Sequence, residues 1–100
     1  YGPILSTLAD LHCRGGDASA GAELAAQAES VGDEQAEAAP WYAAQARLTR
    51  QYCRAVGGAT PAAFDAAAAV ATVTAKWGSA SPFARRAREQ AQVIVGSGAH

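Results

Sequence analysis

The sequence predicts an all-α domain of about five helices, arranged as stacked antiparallel hairpins with a C-terminal capping helix. Three observations predict it. Apolar residues recur at spacings of three and four, and no stretch alternates with the period of two that a strand requires. Helix-start signals (Pro3, Asp17, Pro40, Thr60-Pro61 and Ser81-Pro82) alternate with glycines that can stop a helix (Gly15-Gly16, Gly32, Gly57-Gly58, Gly78, Gly96). Half of the 100 residues are apolar and alanine supplies most of that half, so the core is thin and the helices must approach closely.

The elements follow in order. Pro3 suits a first helical turn, and Ile4, Leu5, Leu8 and Leu11 share one face of a helix over residues 3–14, stopped by Gly15-Gly16. Asp17 caps a second helix over 18–31, with Ala22, Leu24, Ala25, Ala26, Ala28 and Val31 as its small-residue surface and Gly32 as its stop. The acidic run 33–37 reads as a loop or an early turn of the next helix. Pro40 opens a third helix over 40–56, whose stripe is Trp41, Ala44, Leu48, Tyr52 and Val56. Thr60-Pro61 starts a fourth over 61–76, with Phe64, Ala67, Val70, Ala71 and Thr74 on one side. Ser81-Pro82 starts a fifth over 82–95, with Phe83, Ala87, Ala91 and Ile94 inward and Gly96 as its end. Connections this short make neighbouring helices antiparallel. The whole chain, 1–100, is read as one domain.

An internal echo runs through the first half. Leu8, His12, Cys13 and Arg14 answer Leu48, Tyr52, Cys53 and Arg54 forty residues on, and a Gly-Gly follows each copy. Residues 5–31 resemble a tetratricopeptide repeat: Leu8-Ala9 in the first helix, Gly16-Asp17 at the turn and Ala28 late in the second helix carry the likeness. His12 stands where that pattern has an aromatic residue, and Ala25 where it has a large one. In the second hairpin Leu48 and Tyr52 match and Thr49 departs. The resemblance implies a helical solenoid that binds other proteins. Degenerate Ala-rich hairpins of this kind occur in large bacterial regulators, so it also implies a scaffolding segment of a larger regulatory protein, in the cytoplasm. Two hairpins and a cap make a short array, and the sequence has no initiator methionine. Either a longer solenoid or a dimer that finishes the stack is therefore expected.

Cys13 and Cys53 leave two alternatives open. One is a pair of buried thiols acting as small hydrophobes; the other is a disulfide stapling a small exported helical protein. Two distant cysteines with His12 and His100 are too few ligands for a metal site. No cofactor fingerprint is present, and no apolar run is long enough to span a bilayer.

Catalytic readings fail on geometry. His12 and Cys13 are neighbours on a helix and point apart, which rules out a nucleophile pair and leaves His12 as a residue of the helix interface. The turn Gly16-Asp17-Ala18-Ser19 lacks a serine directly after the aspartate, as a carrier protein would need. Trp77-Gly78 does not make a Trp-x-Gly turn. Asp10, Asp17 and Asp65 are read as caps or solvated positions. No catalytic constellation emerges.

Charge is more informative. The net charge is −1, which argues against a nucleic-acid binder, yet residues 1–40 hold seven acids and one base while residues 41–100 hold seven bases and two acids. Arg47, Arg50 and Arg54 share one side of the third helix, and Arg85, Arg86 and Arg88 cluster on the fifth. The expected function is protein–protein association or self-association through Ala-lined grooves and these arginine rows, with Arg47, Arg50, Arg54, Arg85 and Arg88 as the partner-binding residues. A nucleic-acid-binding accessory domain is the remaining alternative.

Overall fold

The computed structural model describes residues 2–59 and 64–98. Within them the chain forms α1 (Gly2–Arg14), α2 (Ala18–Glu34), α3 (Pro40–Val56), α4 (Ala66–Trp77) and α5 (Pro82–Gly98), and no strand. The all-α expectation holds, and the local chemistry at the helix ends explains why. Asp17 accepts the Ala20 N–H at the start of α2, Asp65 accepts that of Ala68 at the start of α4, and the Ser81 hydroxyl accepts that of Ala84 in α5. The two Gly-Gly turns end their helices alike. Gly16 and Gly58 take positive φ (92° and 85°), and the next residue donates back across the turn, Asp17 to His12 and Ala59 to Arg54.

Each even-numbered helix packs against the two odd-numbered helices that flank it: α2 against α1 and α3, α4 against α3 and α5. α3 also packs directly on α1 and on α5. The result is two layers, with α1, α3 and α5 side by side and running in the same direction, and α2 and α4 antiparallel to them. The core runs through both layers. Leu48 and Val73 are fully enclosed, in a cluster with the buried Ala9, Cys13, Ala25, Tyr52, Ala87 and Ile94, and a smaller cluster joins Leu5, Ala28, Tyr42 and Ala46. At the far end Trp41 meets Trp77 edge-on at 5.2 Å, and Trp77 stacks on Phe83 at 4.7 Å.

Several boundaries and faces differ from those read in the sequence. Gly32 does not stop α2, which continues to Glu34; a Cβ there would lie 3.2 Å from the Ala43 Cα, so the glycine serves the close crossing of α2 and α3. Gly96 likewise lies inside α5. Thr60 and Pro61 fall outside the described residues, but Phe64 and Asp65 are not helical, so α4 starts at Ala66 and not at 61. Its buried residues are Ala66, Ala69 and Val73, whereas Ala67 and Ala71 face outward. Val56 is exposed at the end of α3. On α1, Leu5 alone of the four large aliphatics is buried, in the company of Ser6, Ala9, Asp10 and Cys13.

Cys13 and Cys53 are joined by a disulfide, with 5.4 Å between their Cα atoms, so the two halves of the sequence echo meet face to face. Gly21 of α2 lies on this bond. A Cβ at that position would fall 2.1 Å from the Cys13 Sγ and 3.0 Å from the Ala9 carbonyl oxygen. Gly21→Ala must therefore push α2 away from α1, at a cost of roughly 2 kcal/mol from overpacking. Denaturant titration checks this; an unchanged midpoint would show that the hairpin yields without resistance.

Candidate interaction surface

The arginines expected to face a partner divide into two groups. Arg47 donates to Asp33 at 2.9 Å and Arg50 pairs with Glu29, so both tie α3 to α2 and do not form a free basic row. Each pair is at least partly open to solvent and contributes on the order of 0.2–1 kcal/mol. Arg54 is half-buried and Arg85 is exposed; neither forms an ion pair among the described residues. Arg88 donates to the Ser79 carbonyl at 3.0 Å and keeps its charge at the surface.

The polar centre of the molecule involves residues that the sequence did not single out. Asp10, read as a cap or a solvated position, is enclosed where α1, α3 and α5 converge. Its Oδ1 accepts from Gln90 Nε2 at 2.9 Å, and its Oδ2 accepts from Arg14 Nε at 2.7 Å and lies 3.7 Å from Arg86 Nε. Gln90 donates also to the Thr49 hydroxyl, and Thr49 donates to the Gln45 carbonyl. Arg14 reaches on to Glu89 at 3.1 Å and sits over the Tyr52 ring. These side chains bridge α1 and α5 across α3, and Asp10, Arg14, Arg86 and Glu89 form the floor and walls of a shallow polar pocket of about 290 Å³, with Leu11, Pro82 and Arg85 at its edge. Two arginines and two carboxylates balance one another there, which suits a structural clasp and offers no unpaired group for chemistry.

Burial would lower the Arg14 pKa, but its hydrogen bond and charge interaction with Asp10, with help from Tyr52 and Glu89, raise it above the usual value. Burial raises the Tyr42 pKa above 10.0, with the Ser6 hydroxyl opposing, and burial likewise raises that of Tyr52, with Arg14 opposing. Both phenols thus hold their protons more tightly in the folded state. Their linked stability is fully present below pH 10 and drains away as pH rises through the raised folded values. Alkaline unfolding beginning near pH 10 is the expected result. Tyr42→Phe should flatten the slope while losing the hydrogen bond to the Ala28 carbonyl, and a slope identical to wild type would assign the transition to other groups.

His12 is exposed, 3.8 Å from Asp17, and not in a helix interface. Among the described residues no three His, Cys, Asp or Glu side chains converge as a metal would need, and no helix is long and apolar enough to cross a membrane.

The least polar surfaces left open lie on α1 and between α4 and α5. Ile4, Leu8 and Leu11, read as core, project from α1 with 60%, 41% and 58% of their surface exposed. Their spacing places them on one face, opposite the side that meets α3. At the other end of the stack, a groove of about 420 Å³ runs between α4 and α5, lined by Ala66, Ala67, Ala91, Gln92, Val95 and Gly96. This alanine-lined groove lies away from the arginine pairs, whereas a second alanine-lined pocket, walled by Ala36, Ala43, Ala44, Phe64 and Ala69, has Arg47 in its wall. In comparisons with known proteins, no family model, curated protein or solved structure matches the chain.

Proposed function

We propose that this chain is a protein–protein association module of tetratricopeptide-like architecture. The observation that carries the reading is the row Ile4, Leu8 and Leu11: three large aliphatics on one helix face that the described residues leave 41–60% exposed. In a molecule whose core is mostly alanine, leaving three large aliphatics half outside forfeits roughly half of the 1.5–3 kcal/mol that full burial of each supplies. That arrangement is natural where another surface completes it. The alternation of an odd-helix layer with an even-helix layer supports the solenoid likeness, because each further helix would add to an open end. The arginine rows contribute less than the sequence suggests, since Arg47 and Arg50 are engaged within the chain.

The test compares capture by the immobilised domain with capture by Leu8→Glu and Arg47→Glu variants of unchanged helical content. Species retained by wild type should be lost by Leu8→Glu and kept by Arg47→Glu. Equal retention by all three removes the α1 face from function.

A further inference from the structure

The α1 ridge and the α4–α5 groove are complementary, and we infer that they are the two halves of one contact: the ridge of one copy of this chain seats in the groove of a second. This rests on the association reading above and names its partner.

Three observations converge. The first is shape. The ridge presents large aliphatic knobs at i, i+4 and i+7, whereas the groove is walled mainly by alanine and glycine, which let a helix approach closely. The second is position. α1 lies at one end of the stack and the α4–α5 pair at the other, with α3 between them, so the contact extends the stack and blocks no packing within it. The sequence echo gives the same answer. Leu48, the counterpart of Leu8, is completely buried in α3, in the cluster that holds Val73 of α4 and Ala87 and Ile94 of α5. A second copy's α4–α5 pair would thus cover Leu8 with the kind of surface that already covers Leu48.

The third observation is charge. Once the internal pairs are set aside, Glu23 and Glu34 are exposed on α2, and neither forms an ion pair among the described residues. Arg88, one turn from Gln92 of the groove, is exposed on α5 with no carboxylate partner among the described residues, while Arg85 stands on the other flank of α5, in the pocket wall that Leu11 shares. The acidic end of one copy therefore meets the basic end of the next, which orients the approach and disfavours like ends meeting. A contact between two different patches is heterologous, so copies add in one direction until a ring closes or the chain of copies stays open.

Sedimentation velocity over a concentration series tests this with Leu8→Glu, which spoils the ridge, and Val95→Glu, which spoils the groove at a 64% exposed position. Wild type should grow past twice the monomer mass as concentration rises. Each variant alone should remain monomeric at the concentration where wild type is half assembled. An equal mixture of the two should give a one-to-one dimer and nothing larger, because one intact ridge and one intact groove remain. Should Leu8→Glu fail to fold by circular dichroism, Ile4→Glu at a 60% exposed position replaces it. A wild type that stays monomeric overturns the inference while leaving capture of a different protein through Leu8 intact. Assembly that survives Val95→Glu overturns it in favour of ridge-to-ridge pairing. Loss of both self-assembly and Leu8-dependent capture would overturn the association reading itself.

Discussion

Replacing Cys13 and Cys53 together by alanine should lower the stability of the domain by about 4 kcal/mol. The bond spans 40 residues, and closing a loop of that length in the unfolded chain removes entropy worth roughly that amount. A domain of this size is stable by only about 5–15 kcal/mol, so the loss is a large fraction of the whole. The effect falls heavily here because alanine fills so much of the core. The disulfide joins α1 to α3 directly, in a cluster where Leu48 and Val73 are the only fully enclosed larger aliphatics among the described residues. Both sulfurs are buried, so a reductant should attack slowly until denaturant opens the fold. Denaturation midpoints of the oxidised protein and the double variant decide the matter. A difference under about 1 kcal/mol would mean that the unfolded chain already keeps the two segments together.

Asp10→Ala should be nearly as damaging, at about 3 kcal/mol. The carboxylate is enclosed, and it answers Arg14, Arg86 and Gln90 at once. Removing it leaves Gln90 with the Thr49 hydroxyl and Arg86 with the Thr7 hydroxyl as acceptors but takes away the carboxylate that balances Arg86, and an uncompensated, largely buried charge is the costly outcome of breaking such a pair. The figure stays at the lower end of the usual range because Arg14 is more than a third exposed and can turn to solvent. Asp10→Asn separates the two contributions: it keeps an acceptor for Gln90 and loses the charge. Should Asp10→Ala melt like wild type, the clasp would be an ornament on a fold held elsewhere.

Reading the sequence located the helices where local chemistry decides them. Pro40, Pro82, Asp17 and the two Gly-Gly turns each act through neighbours a few residues away, and all mark ends where the structure has them. The reading failed where a distant contact decides. Gly32 looks like a stop and is a crossing point, because its reason is Ala43 on another helix. Asp10 looks solvated because Gln90, its partner, is eighty residues away. The face of α1 was inverted for a related reason. Size normally sorts inside from outside, but helices this closely packed bury Ser6, Ala9 and Cys13, and the leucines are left over. The proposed interaction surface thus consists of residues that the sequence assigns to the core, while Arg47 and Arg50 of α3 pair with α2 inside the chain.

The contact between Trp41 and Trp77 has a practical consequence for optical work. Both tryptophans of the chain sit in one cluster at the junction of α3, α4 and α5, with Lys76 near each ring. Indole fluorescence therefore reports on that junction through Trp77, while Trp41 also packs against the cluster of Leu5, Ala28, Tyr42 and Ala46 and so senses α1 and α2. Far-ultraviolet ellipticity, by contrast, averages over all five helices. A Trp41→Phe variant leaves Trp77 as the single indole, stacked on Phe83; if the N-terminal hairpin loosens before the rest, the ellipticity of that variant will begin to fall while its emission stands still.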